Sequence, residues 1–178
     1  MDDIYFPGME QTQPDASASM EGMYFPGMAP AQADEGQQGW SGFVDKASRI
    51  SQQRGFPTNV LLGQAAIESG RGSAAPGNNY FGIKGSGTGG SNNLATKEYG
   101  AGGYYGENSD FAAYEKPEDA INAYIDLVTS YPGVPEAIKS GDTLAVLQAI
   151  KNAGYATSPT YVNDVSNTPE FRGQYGSN

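Results

Sequence analysis

The run Leu61-Leu62-Gly63-Gln64-Ala65-Ala66-Ile67-Glu68-Ser69-Gly70-Arg71-Gly72 places one carboxylate where local rules disfavour it. Pro57 and Thr58 supply a helix-start signal, and Leu61, Leu62, Ala65 and Ala66 favour helix. Glu68 lies seven residues after Leu61 and three after Ala65, so the three share one apolar stripe. It also falls in the last helical turn, where the macrodipole opposes negative charge. Gly70 and Gly72 then let the chain turn away sharply. A local rule broken at one carboxylate marks a place for chemistry, and the chemistry open to a carboxyl is proton transfer. The competing reading has Glu68 swinging into water or pairing with Arg71 three residues on.

Composition narrows the chemistry. The chain has 178 residues, which suits one compact domain plus a tail. It contains neither Cys nor His, so disulfides, thiolate metal sites and imidazole catalysis are excluded. Acid–base work falls to Asp, Glu, Tyr or Lys, and no metal or cofactor is expected. No serine has a His or an evident Lys beside it to activate a nucleophile. The Gly-rich run at 85–90 lacks the Gly-Lys-Ser/Thr ending of a phosphate loop. No apolar run approaches the roughly 20 residues of a membrane span. The N-terminus carries acids where a signal peptide needs bases, so export by other machinery is expected if the protein works outside a cell.

The net charge of −10 is unevenly distributed. Residues 1–39 hold seven acids and no Lys or Arg, whereas the other 13 acids and 10 bases leave −3 on residues 40–178. That balance argues against a nucleic-acid partner and against attraction to anionic surfaces. Residues 1–39 are rich in Gln, Ala, Ser, Asp, Gly and Pro, a composition that cannot offset ordering entropy by burial. Within them Ile4-Tyr5-Phe6-Pro7-Gly8-Met9 recurs nineteen residues later as Met23-Tyr24-Phe25-Pro26-Gly27-Met28. Two aromatics before a Pro-Gly turn in an acidic tail fit a docking peptide, and two copies give avidity. The expected organisation is an extended acidic tail over 1–39, a folded domain over 40–168 and a short tail over 169–178.

The elements that must position Glu68 follow in order. Residues 41–54 read as a helix, capped by Ser41, with Phe43, Ala47, Ile50 and Arg54 on one side. The Glu68 helix comes next, then a Gly/Ser/Asn-rich region over 69–109. Leu94–Tyr99 and Asp110–Tyr114 are β-capable and predict a hairpin lobe joined through Gly100–Asn108. Three helices follow. One starts near Pro117 with Ala120, Ile121, Tyr124, Ile125 and Val128 inward. The second spans 142–153 with Asp142 as cap, Leu144, Leu147 and Ile150 inward and Gly154 as stop. A short third lies near 159–165, and the end from Phe171 is expected to fray. The fold class is α+β, mostly helical, with a small Gly/Tyr-rich hairpin lobe.

Five ordered segments carry a family resemblance: Gln64–Gly72, Asn78-Asn79-Tyr80-Phe81-Gly82-Ile83-Lys84, Thr96-Lys97-Glu98-Tyr99, Phe111-Ala112-Ala113-Tyr114 and Ala153-Gly154-Tyr155-Ala156-Thr157. Together they resemble the endo-β-N-acetylglucosaminidase domains of peptidoglycan hydrolases, found in flagellar rod-assembly proteins, autolysins and phage tail lysins. The resemblance covers about residues 40–165. It implies a lysozyme-like fold and cleavage of the β-1,4 glycan strand of peptidoglycan, with muramidase or lytic transglycosylase activity left open. It places the general acid at Glu68, where an apolar setting keeps a carboxyl protonated near neutral pH. It places a second carboxylate, base or oxocarbenium stabiliser, at Glu98, although Glu107 and Asp110 share that lobe and Lys97 offers Glu98 a partner. Aromatic faces and hydroxyls suit sugar rings. The matching motifs point to Tyr80 and Tyr155 as substrate contacts, joined by Phe81, Tyr99 and Tyr104. Phe81, Ile83, Phe111 and Tyr114 also read as core of the small lobe.

Two functions fit these readings. One is a wall-degrading enzyme of a virion, most simply a phage tail, acting in the host periplasm or cell wall and carried by Tyr5–Met9 and Tyr24–Met28. The other is a structural tail or rod component, in the bacterial periplasm or at the cell surface, that uses a lysozyme-like fold for binding alone.

Overall fold

The computed structural model describes residues 33–100, 103–156 and 158–174, with side chains at 33–38, 95–100 and 103–107 excepted. The tail repeats lie outside the described residues. Helix α1 spans Ala33–Arg54 and α2 spans Thr58–Ser69, followed by a 3₁₀ turn at Pro76–Asn78. Strands β1 (Ser91–Gly100) and β2 (Gly103–Ala112) form an antiparallel hairpin. Helices α3 (Pro117–Thr129), α4 (Val134–Ser140), α5 (Thr143–Asn152) and α6 (Tyr161–Ser166) complete the body. Among the described residues no helix is long and apolar enough to cross a membrane. The architecture is the mostly helical α+β one expected.

Helix α2 is the axis of the helical body. Val60, Leu61, Leu62, Gly63, Gln64, Ala65, Ala66 and Ser69 are all buried, so it is covered around most of its circumference rather than along one stripe. It packs against α1, α5 and α6. Gly63 permits the closest approach, since a Cβ there would stand 3.1 Å from atoms of Val165, Thr168 and Phe171. The segment after α6 therefore folds back onto α2, with Thr168 and Glu170 buried and Phe171 packed against the core. That corrects the expected fraying at Phe171, because α2 needs a cover on that side. Residues 175–178 lie outside the described residues.

Helix α1 buries Phe43, Ala47 and Ile50 at helical spacing, as predicted, and Val44 beside them, whereas Arg54, expected on the same side, is exposed. It starts at Ala33, eight residues before the expected Ser41 cap. Ala33, Glu35, Gln37 and Gln38 are good helix formers, and extending a helix costs less than nucleating one. Arg54 ties α1 to α3, with Nη1 donating to Asn122 Oδ1 at 2.9 Å and Nη2 to Asp126 Oδ1 at 2.5 Å. Thr58 does not cap α2. Its hydroxyl meets Ser51 Oγ at 2.6 Å and fastens the two helices at their junction.

The predicted inward set of α3 is the observed one. In α5, Asp142 Oδ1 accepts from Leu144 N and Ala145 N as expected. Val146, Leu147 and Ile150 are buried, whereas Leu144 is 50% exposed. Residues two apart on a helix point about 200° apart, so burying Val146 turns Leu144 outward. Helix α4 has no counterpart in the sequence reading. Pro135 serves it as a first-turn residue, between left-handed Gly133 and Gly141.

The hairpin is longer than read, because the Gly- and Tyr-rich stretch taken as a connection is mostly strand β2. Its base is fixed by backbone and amide contacts. Asn79 clasps Ile83 through Nδ2 to O at 2.8 Å and Oδ1 from N at 3.0 Å. Asn78 Nδ2 donates to Tyr114 O at 2.9 Å. Gly87 lies against the same anchor, where a Cβ would sit 2.4 Å from Ala113 O.

Candidate active site

Glu68 is the penultimate residue of α2. Gly70 ends the helix at φ 54°, a left-handed conformation that glycine adopts without penalty, and its N–H bonds back to Ala66 and Ile67. The chain therefore leaves the helix immediately after the carboxylate. As a residue Glu68 is half-buried, yet its Oε1 is sealed from solvent and has no hydrogen-bond partner. One oxygen thus faces the interior while the residue as a whole retains some exposure. Desolvation holds this carboxyl well above the usual range for a glutamic acid.

The alternative of an Arg71–Glu68 pair is not realised. Arg71 turns the other way, with Nε 2.6 Å from Glu170 Oε1 and Nη2 3.0 Å from Glu170 Oε2. No cation is therefore spent on neutralising Glu68 from its own turn. Ser69, the neighbouring polar residue, is satisfied locally by donating to Ala65 O and accepting from Gly72 N.

Beneath Glu68 lies an aromatic layer. Phe81 stacks on Tyr124 with ring centroids 4.2 Å apart, Tyr155 meets Tyr124 edge-on at 5.9 Å, and Tyr161 lies beyond Tyr155 at 6.4 Å. Burial raises the pKa of Tyr124, Tyr155 and Tyr161, and the negative charge of Glu68 adds to the rise in all three. The three hydroxyls thus share the electrostatic neighbourhood of the catalytic candidate.

The expected substrate contacts divide. Tyr80 is 8% exposed and stacks on Phe43 at 4.0 Å, with its pKa raised by burial. Phe81 and Tyr155 have no exposed surface, and the Tyr155 hydroxyl donates to Phe81 O at 3.0 Å. Placing those two as saccharide contacts is corrected: both are packed among aromatic neighbours in the core, and a ring with no exposed surface has no face to offer a sugar. Phe111 and Tyr114 are buried, as the core reading of the small lobe had them.

The side chains of Glu98, Tyr99, Tyr104 and Glu107 lie outside the described residues, and only the backbone register places these positions. Glu98 pairs with Tyr105, Thr96 with Glu107, Leu94 with Ser109 and Asn92 with Phe111. Directly opposed residues share a side of an antiparallel ribbon, and so do residues two apart. Positions 98, 105 and 107 therefore fall on the side where Ser109 and Phe111 are buried. Positions 99 and 104 fall on the other, with exposed Asn93 and Asp110.

Sequence reading missed four contributors. Gln64, Tyr124 and Tyr161 are fully buried close to Glu68, and Glu170 holds Arg71. Gln64 left a signal, a lone amide inside an apolar run one turn before Glu68. Glu170 left none, since its partner lies 99 residues away.

Comparison with known proteins bears on the family and the fold. The family model described as mannosyl-glycoprotein endo-beta-N-acetylglucosaminidase matches residues 44–170. The peptidoglycan hydrolase FlgJ of Escherichia coli strain K12 is 33% identical over 130 residues, 68% of this chain and 42% of that protein. The chain thus spans less than half the length of that curated relative. A crystal structure of a peptidoglycan hydrolase mutant from Sphingomonas sp. A1 aligns with a TM-score of 0.62 at 30% identity, covering 75% of this chain and 97% of that one. The C-terminally truncated glycoside hydrolase domain of Salmonella typhimurium FlgJ aligns with a TM-score of 0.57 at 27% identity, covering 75% and 96% respectively. With the family model spanning the body from α1 to the segment that covers α2, the chain belongs to the endo-β-N-acetylglucosaminidase (glucosaminidase) family.

Proposed function

We propose that the protein is a peptidoglycan hydrolase that cleaves β-1,4 glycan strands with Glu68 as general acid. The observation that carries this reading is the half-sealed, uncompensated carboxyl at the end of α2, which burial keeps protonated beyond the range of an ordinary glutamic acid. Cleavage needs a proton on the bridging oxygen as the C–O bond breaks, and Glu68 supplies it. The developing positive charge on the sugar ring then needs a carboxylate, and a water adds its hydroxyl to the anomeric carbon while its proton passes to a carboxylate. Glu98 is the proposed second carboxylate. Its register position on the side of the hairpin that is buried at Ser109 and Phe111 supports the assignment, and Glu107 shares that side. Tyr80 is the proposed aromatic contact for a sugar ring.

Zymography in gels cast with peptidoglycan tests the reading. Clearing by the wild type and none by Glu68→Gln is the expected result. A folded wild type that clears nothing refutes it and favours a binding or assembly role. Mass spectrometry of the reducing ends released decides between N-acetylglucosaminidase and muramidase or transglycosylase cleavage.

The delivery route is part of the same proposal. An acidic N-terminal segment carrying the aromatic Pro-Gly-Met repeat twice supports docking onto a larger assembly with paired sites, most simply a virion tail that degrades host wall during entry.

A further inference from the structure

Every buried side-chain nitrogen or oxygen without a hydrogen-bond partner among the described residues belongs to one of four residues. They are Gln64 (Nε2 and Oε1), Glu68 (Oε1), Tyr124 (hydroxyl) and Tyr161 (hydroxyl). Native proteins leave few such groups, and they cluster where something else must satisfy them. Three elements contribute them, and the charge of Glu68 acts on both hydroxyls. Gln64 lies one turn before Glu68 on α2, Tyr124 comes from the middle of α3, and Tyr161 opens α6. Gln64, Tyr124 and Tyr161 have no exposed surface.

Among the described residues, three polar groups nearby are engaged or neutral. Tyr155 gives its proton to Phe81 O, Tyr131 contributes charge only when ionised, and Arg71 is held by Glu170. Helix α1 turns apolar residues toward the core. Two hydroxyls that feel the Glu68 charge and one amide a helical turn away are thus buried without partners, as is one Glu68 carboxyl oxygen.

We propose that Gln64, Tyr124 and Tyr161 are positioning residues that, together with buried water, form an internal polar pocket around the inner oxygen of Glu68. The proposal rests on the reading of Glu68 as general acid. The pocket directs the acidic proton to the outer oxygen, where a substrate can take it. It then holds the carboxylate that remains once the proton is gone. Donors poised for that product state stabilise the transition state more than the resting acid, so they act on turnover rather than on binding.

The test uses the full chain with Tyr124→Phe, Tyr161→Phe and Gln64→Met. Each removes pocket polarity and keeps side-chain volume close to native. Two readouts are taken: kcat and KM on solubilised glycan strands across pH, and the Glu68 titration midpoint by ¹³C-carboxyl NMR, assigned by difference from Glu68→Gln. The proposal expects kcat to fall about tenfold per hydroxyl with KM little changed, the weight of one hydrogen bond to a charged group. It also expects the alkaline limb and the NMR midpoint to move to higher pH together, because losing a donor disfavours the ionised form. A merely structural hydroxyl with no partner would leave both readouts unmoved when deleted. Wild-type kcat and an unmoved midpoint in both Phe variants overturn the pocket. A midpoint that moves in a wild-type background unable to clear peptidoglycan refutes the catalytic reading while upholding the pocket. Tyr161→Phe and Gln64→Met lie on separate helices from Tyr124, so misfolding of one variant leaves the others to decide.

Discussion

Replacing Glu68 by Gln should make the protein's stability less dependent on pH, with a sign that tests burial directly. The fold raises the Glu68 pKa because the ionised form loses water on one oxygen and gains no partner there. A raised folded-state pKa means the native protein binds the proton more tightly than the unfolded chain does. The stability this contributes is complete below the unfolded value of about 4.3 and is lost as pH rises toward the folded value. Gln keeps the shape and never ionises, so it escapes that loss. The gap in stability between Glu68→Gln and wild type should therefore widen with pH by up to about 1.4 kcal/mol per unit across that window, then level off. For a domain of this size that corresponds to about 3–5 °C in Tm per pH unit. Thermal melts of both proteins by circular dichroism at pH 4, 5, 6, 7 and 8 provide the measurement. Two Tm curves that run parallel across the series would refute the argument, since they would mean that Glu68 titrates alike in folded and unfolded chains.

Two further predictions concern Arg71 and the N-terminal repeats. Arg71→Leu strands the Glu170 carboxylate, whose side chain is 5% exposed, while Arg71 itself is 46% exposed. Urea unfolding should show a loss of about 2–3 kcal/mol, and Arg71→Leu with Glu170→Leu should recover much of it, because the cost lies in the orphaned charge. A double variant as unstable as the single one would contradict this. In the tail, Tyr5→Ala with Tyr24→Ala should leave hydrolysis intact and abolish incorporation into the parent assembly, scored by copurification. Undiminished incorporation would remove the docking role.

Much of the helical body was legible because its signals are local. The inward set of α3 follows from 3.6-residue periodicity, and the Asp142 cap from a side chain bonding its own next turn. What could not be read depends on partners distant in sequence. Leu144 and Val146 are equally apolar, and only the packing of α5 chooses between them. Tyr155 and Tyr80 sit in similar motif contexts, yet two rings and a carbonyl meet a Tyr155 with no exposed surface while Tyr80 keeps a little. The segment after α6 looked like a loose end because Gly63 and Arg71, the residues that receive it, lie about a hundred positions upstream.

The site itself was visible as an inconsistency, and the structure sharpens which inconsistencies matter. Three polar residues lie in the second half of α2, where nearly everything else is apolar and covered. Ser69 resolves its own polarity within one turn through Ala65 and Gly72. Gln64 and Glu68 do not, and two of the three hydroxyls that feel the Glu68 charge, those of Tyr124 and Tyr161, are equally unpartnered. A fold selected for stability alone would fill that space with hydrocarbon, since replacing such groups by apolar ones of the same shape is neutral or stabilising. Keeping four unpartnered polar atoms from other residues beside the acid's own unpartnered oxygen makes sense if the acid must exist in two protonation states, one of them charged, within a single turnover.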